Sequence, residues 1–463
     1  QRIAQAYVAH FPDLIHSRPE LPAHHFSRAA MPETAVLYWQ RAGELAVARE
    51  GHEEAIAHLE AALVQIALMP DGPARAAQEL TLRVTVGPAL FSRRGMASDE
   101  TGANYARACE LALSQGETSE SFMAMFGDWM YKNTKGLLVE ARKRSEDLVV
   151  VGRKLNDDGF VLQGHHSRWT NLFMLGDAGL ARADTREGIR LYDRERHRQH
   201  KHLYGGHDPG VCARCVGAVA AWVTGYAGEA VELAESAISL ARDLDHSFSL
   251  AVAYVWAPIV MLNVRNRAAA QAAAEHLIAV CDKHGIAQWM GAGQVIAGLC
   301  RVEQGATDEG LKLVDQGLTA YLARGPVGFR PMVACIAASA HRMAENHNYA
   351  GSLLAQVLEP AAKAQVGWYM PEVQRQLAQS LRQSGQISAE EAVARIVGAA
   401  ELARRQGALT LQWRAVTAVA TLLVQEGRDA EAVLRLRKVS DEADVGLDVL
   451  EIDDARALLA SLA

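Results

Sequence analysis

Between Ala35 and Pro70 the chain spells out a unit that it then repeats, and this repetition constrains the fold more than any single motif does. Trp39 is bulky, and Gly43, four residues on, is small. Glu50-Gly51-His52 makes a turn. Ala55, Leu59 and Ala62 follow at i, i+4 and i+7 on one helix face, and Pro70 closes the unit. Small side chains at a helix crossing let two backbones come close. The same grammar returns at Ala218, with Tyr226-Ala227-Gly228 and then Ala230, Ala234 and Ala237. It returns at Gly298, with Gln304-Gly305 and then Gly310, Val314 and Gly317. It returns again at Ala420, with Glu426-Gly427-Arg428 and then Ala432 and Leu436. Fainter copies lie at Leu175-Gly176-Asp177 with Ala181, and from Glu345 to Leu354. A lone helix pair cannot bury its apolar face, so successive pairs must stack.

This pattern resembles the tetratricopeptide repeat. The fold expected is therefore all-α: a right-handed superhelical solenoid of tetratricopeptide-like (TPR-like) helix hairpins with a concave inner face. Composition agrees. The chain has 463 residues, 50% apolar and 22% charged, more than one ordinary globular core needs. Aromatic residues make up 6% and prolines number 13, while the plentiful Ala and Leu favour helix. The most strand-like run, Leu148 to Val151, sits inside a longer helical pattern.

The net charge of -7 argues against a general nucleic-acid binder. The basic cluster Arg194-Glu195-Arg196-His197-Arg198 reads as a solvated helix end. Of the six cysteines, Cys109, Cys281, Cys300 and Cys335 lie singly in apolar helical patterns, and Cys212 and Cys215 form a pair. This is no disulfide framework and suits a reducing cytoplasm. No run reaches the roughly 18 apolar residues of a membrane span, and no signal peptide is visible. The first residue is Gln1, not Met, which reads as a piece cut from a longer protein.

Three regions are expected. Residues 1–31, broken by Phe11-Pro12-Asp13 and Pro19-Glu20-Leu21-Pro22, form a cap or the end of a preceding domain. Residues 32–203 form one sub-array and residues 204–463 a second. Tyr204-Gly205-Gly206-His207-Asp208-Pro209-Gly210 cannot continue a helix and marks the boundary or a functional loop.

His24-His25-Phe26, Tyr38-Trp39-Gln40-Arg41-Ala42-Gly43, Glu54-Ala55-Ile56-Ala57-His58-Leu59 and Leu203 through Cys212 together resemble a known region. So do Gly225-Tyr226 with Ala230, and Trp368-Tyr369 with Glu372. They are similar to the carboxy-terminal repeat region of bacterial STAND-type predicted ATPases, often fused behind class III adenylate or guanylate cyclase domains. The resemblance implies signal transduction, with the repeats sensing a ligand for domains upstream. The chain lacks a Gly-x-x-x-x-Gly-Lys-Ser/Thr phosphate loop and the paired metal-binding aspartates of a cyclase, so neither activity is assigned to it.

Three constellations have chemical potential. His165, His166, His197, His200, His202, His207, Cys212 and Cys215 supply zinc-type ligands, but without a second clean pair they read as packing and surface residues, and no metal or other cofactor is expected. His207-Asp208-Pro209-Gly210 reads as a turn whose Asp208 caps the next helix, with room for an anion at that helix start. Trp129, Trp169, Trp222, Trp256, Trp289, Trp368 and Trp413 recur about one helix pair apart; they are either core wedges or the walls of the groove. No Gly-x-Ser-x-Gly or His-Glu-x-x-His is present. The carboxylate pairs Asp157-Asp158 and Asp453-Asp454 fit helix ends.

The expected function is a regulatory binding module, not an enzyme. It captures a protein, peptide or small molecule on its concave face and shifts the state of upstream domains of the same chain. Trp169, Tyr204, His207, Asp208, Trp222, Trp256 and Trp289 are the expected groove residues. No nucleic-acid or membrane partner is expected. The alternatives are an oligomerisation scaffold, a homodimer included, and a metal-dependent enzyme at the His/Cys cluster.

Overall fold

The structure, a computed structural model, describes residues 16–49, 51–441 and 446–462. The turn residue Glu50 and the Phe11-Pro12-Asp13 break lie outside the described residues. Among the described residues the secondary structure is helical throughout, with no strand. The chain divides into two compact units, residues 1–164 and 165–463. The Tyr204–Gly210 stretch lies inside the second.

The first unit carries α1 (Glu20–Arg28), α2 (Pro32–Ala48), α3 (His52–Ile66), α4 (Pro73–Arg94), α5 (Asp99–Ala112), α6 (Ser119–Lys135), α7 (Leu138–Lys154) and the start of α8 (Asp158–Leu175). Local chemistry sets the ends. Ser98 caps α5 by accepting from Thr101 N–H at 3.2 Å, and Thr118 with Ser121 forms a capping box on α6. A Cβ on Gly43 would lie 2.4 Å from Leu59 Cγ, so the small residue anticipated in the first unit is there to admit Leu59. Tyr105 is wedged between Gly87 and Gly127, where an added Cβ would overlap its ring.

The second unit holds the rest of α8 and then α9 (Ala178–Leu191), α10 (His200–Leu203), α11 (Pro209–Val223), α12 (Ala227–Asp243), α13 (Ser247–Asn263), α14 (Arg267–His284), α15 (Ala287–Glu303) and α16 (Thr307–Arg324). A 3-10 turn at Val327–Phe329 precedes α17 (Arg330–Met343), α18 (His347–Lys363), α19 (Met370–Gln383), α20 (Ala389–Arg405), α21 (Leu409–Gln425), α22 (Asp429–Asp441) and α23 (Leu450–Ser461). Helices alternate in character. α12, α14, α16, α18 and α20 each bury one stripe, such as Ala230, Ala234, Ala237 and Ala241 on α12. α11 and α13 are buried almost all round, so they form the inner layer.

The hairpins share one turn. An N–H just after the helix reaches a carbonyl five residues back: Asp177 to Leu172 at 2.8 Å, Tyr226 to Ala221 at 2.9 Å, Asn266 to Met261 at 2.9 Å and Ala306 to Arg301 at 3.0 Å. Asn346 to His341, Gln386 to Leu381, Ala408 to Ala403 and Arg428 to Leu423 repeat it. The residue before that N–H has positive φ, usually Gly, but Arg at 265 and Glu at 345. This is the left-handed helix stop, and its recurrence is the backbone form of the repeat.

Late hairpins of the second unit close onto early ones. Gly367 N–H donates to Met174 O at 2.8 Å, and Asp448 N–H to Gly225 O at 3.0 Å. Thr410 Oγ1–H donates to Trp222 O. The Asp448 carboxylate accepts from Ala227 N–H at 2.5 Å and Gly228 N–H at 2.8 Å, capping α12 from 220 residues downstream. The interior so enclosed is filled at one level by aromatic rings: Phe173 lies 4.6 Å from Trp368 and 5.5 Å from Trp256, and Phe329 lies 4.8 Å from Trp256 and 5.7 Å from Trp289.

Candidate functional site

Beside that aromatic layer the inner helices of the second unit leave a cavity of about 260 Å³. Its walls come from α13, α15, α17, α19, α21 and α23, and they are charged. On α19, Glu372 takes Arg375 Nη2–H at 2.5 Å and Gln376 Nε2–H at 2.8 Å. On α21, Arg414 donates to Glu451 of α23 from Nε at 2.8 Å and from Nη2 at 2.6 Å. Its Nη2 also reaches Asn263 Oδ1 at 2.8 Å, at the end of α13, and its guanidinium lies 4.9 Å from the Trp222 ring. Arg267 with Glu303, at 2.8 Å, and Arg265 with Asp454 form a more exposed rim.

These charges are fixed by one another. Burial acts to raise the Glu372 carboxyl, but the Arg375 and Arg414 charges outweigh it and hold the group at about 2. Burial acts to lower Arg414, yet Glu451 and Glu372 hold it above its ordinary value. Arg342, on α17, is pushed down to about 10 by burial and by the Arg375 charge. Arg342 lies outside the cavity lining, where Arg265, Arg267, Arg375 and Arg414 are matched by Glu303, Glu372, Glu451 and Asp454. Arginine forks suit a carboxylate or a similar planar anion, but here Glu372 and Glu451 already occupy them, so an incoming anion has to share or displace those carboxylates. Nothing in the set arranges a nucleophile beside a base: the Cys335 thiol in the wall is pushed well up by burial.

The groove residues expected from sequence fall in several places. Trp169, Trp222, Trp256 and Trp289 are buried. Trp256 and Trp289 belong to the aromatic layer. Trp222 lies against the Arg414 guanidinium and lines a neighbouring recess with Ala227, Gly228 and Asp448, outside the charged cavity itself. Asp208 is fully buried and caps α11, accepting from Gly210 N–H at 2.9 Å and Val211 N–H at 3.1 Å, and from Tyr192 Oη–H at 3.0 Å. Burial raises its carboxyl despite those donors. Tyr204 is buried against His200, ring to ring at 5.0 Å. His207 packs against His166 with ring centroids 5.0 Å apart. The residues that sequence reasoning passed over are Arg375, Arg414, Glu451 and Asn263. Arg414 had a visible signal, as a single charge inside the apolar inner-helix run from Leu409 to Val424. All six cysteines are free thiols.

The first unit has its own cavity, of about 510 Å³, beside Cys109 and the Asp128 ion pairs to Lys132 at 2.5 Å and Arg144 at 2.8 Å. Burial pushes the Cys109 thiol up to about 12, so it is no nucleophile.

No protein-family model matches the chain. An uncharacterized protein, R02095, of Rhizobium meliloti (strain 1021) is 28% identical over 205 residues; the match covers 44% of this chain and 20% of that protein. The chain thus matches about a fifth of that relative's length. Among solved structures it is similar to a Rap protein complexed with competence and sporulation factor, at TM-score 0.49 and 11% identity, covering 92% of this chain and 99% of that one. It is similar to the apo form of RapI, at TM-score 0.48 and 10% identity, covering 85% and 99%. Yeast Tom70 follows at TM-score 0.38 and 12% identity, covering 97% and 96%.

Proposed function

We propose that this chain is the ligand-sensing module of a longer signalling protein, and that the charged cavity of its second unit captures the free carboxyl end of a short peptide or a small molecule of like chemistry. One observation carries the reading: Arg375 and Arg414, inner-layer side chains, converge on a cavity within a helical repeat array. Burying two guanidinium groups is costly, and a packing role would be served better by apolar residues. The rim pairs Arg267–Glu303 and Arg265–Asp454 offer both signs of charge, so a zwitterion can exchange partners with them on entry. Trp222, although outside the cavity lining, packs against Arg414 and would help hold its guanidinium in place. Binding, not catalysis, is the activity.

Because α13, α19, α21 and α23 all contribute walls, an occupant ties distant repeats together. It thereby favours one packing of the unit, and such a population shift is what a regulated domain elsewhere in the protein would sense. Cyclase or STAND-type ATPase domains, as the sequence resemblance implies, are the proposed recipients, and the cytoplasm is the proposed compartment.

The test is a thermal-shift screen of the full chain with a library of free-ended tetrapeptides and their C-terminally amidated counterparts. A ligand at a hundred times its Kd stabilises by about 2.7 kcal/mol, a readily measured shift. Free-ended hits that lose their effect on amidation, and in R375K and R414K, support the reading. Hits indifferent to amidation and to both variants would refute it.

A further inference from the structure

Away from the charged cavity, three zinc-type donors converge in the same unit. His166 lies on α8, His207 in the turn before α11, and Cys212 in the first turn of α11. Their donor atoms, one from each residue, all fall within 4.8 Å of one another, and the two histidine Nε2 atoms are 3.2 Å apart. Tetrahedral zinc with bonds of about 2.0–2.1 Å to nitrogen requires ligand nitrogens about 3.3 Å apart. The pair already has that spacing.

The surroundings fit as well. His207 Nδ1 lies 3.2 Å from Gly205 O. An Nδ1–H given to that carbonyl leaves the Nε2 lone pair facing His166, the arrangement that orients metal-bound histidines. Gly205 and Gly206, both with positive φ, make the turn that brings His207 back onto α8. With the His207 proton on Nδ1, the Nε2–H between the rings belongs to His166, and metal binding requires that ring to carry its proton on Nδ1 instead. The Trp169 side chain lies beside the Cys212 sulfur. The Trp169 indole N–H is buried with no hydrogen-bond partner; a metal-bound thiolate beside it would supply an acceptor.

We infer that His166 Nε2, His207 Nε2 and Cys212 Sγ form a three-ligand site for a zinc-type divalent ion, which staples the 204–208 turn to α8 and α11. Binding releases the Cys212 proton to solvent, and the sulfur lone pair forms the metal bond. The fourth position is left to a water molecule. The competing arrangement is a bare hydrogen bond between the two neutral imidazoles, which needs no ion.

The decisive experiment is titration of the chelator-treated full chain with Co(II). Uptake of one equivalent per chain, with a thiolate-to-cobalt charge-transfer band, is the expected result. C212S should lose that band, and H207Q should bind cobalt at least tenfold more weakly, both with unchanged far-UV dichroism. No stoichiometric uptake by the wild-type chain would overturn the site, as would an undiminished band and affinity in H207Q, the milder of the two variants.

Discussion

Gly291, Gly298, Gly310 and Gly317 set the closest helix approach in the second unit. An added Cβ on Gly291 would lie 2.4 Å from Gly317 O, and one on Gly298 would lie 2.7 Å from Gly310 O. Backbone cannot yield as a flexible side chain can, so G317A should destabilise the chain by roughly 1–3 kcal/mol, read by chemical denaturation. Glu372 makes a different statement. Its carboxyl is held at about 2, below the ordinary 4.5. The stability it contributes is therefore complete above pH 4.5 and is lost as the pH falls through 2. Denaturation midpoints at pH 5 and pH 3 should differ for the wild type, and the difference should shrink in E372Q. R414A, which strands Glu451 in the interior, should cost about 3–5 kcal/mol.

The elements show what the sequence reveals and what it hides. The turns at Gly176, Gly225, Gly305 and Gly427 are legible because glycine marks the left-handed helix stop. Those at Arg265 and Glu345 use residues that enter that region at a cost; only the second shows in the sequence, through its flanking pattern. The stripes on the outer helices are legible from their i, i+4, i+7 spacing. The charged cavity is not, because Arg375, Arg414 and Glu451 are brought together by the closure of the array, and no local period encodes that. Asp208 illustrates the intermediate case. Its capping of α11 follows from Asp-Pro-Gly, but its bond to Tyr192 does not. D208A should cost about 1–2 kcal/mol and raise amide exchange in the first turn of α11, whereas D208N should retain most of the cap.

On the scale of the whole molecule, a simple repeat array is a chain of nearest neighbours, able to unfold piece by piece. The second unit is not so simple. Asp448 caps α12, Thr410 holds the end of α11, and Gly367 bonds to the end of α8. D448A should therefore loosen the start of α12 as well as α23, which hydrogen exchange would resolve peptide by peptide. Protection lost only around residue 448 would deny that coupling. The same closure assembles the charged cavity, so the residues proposed to bind a ligand also hold the late hairpins to the early ones. The most direct test is calorimetric titration of the strongest free-ended peptide from the screen into the wild-type chain and into R414K. The account predicts one site per chain, at least tenfold weaker in the variant. Equal affinity for the two proteins would contradict it.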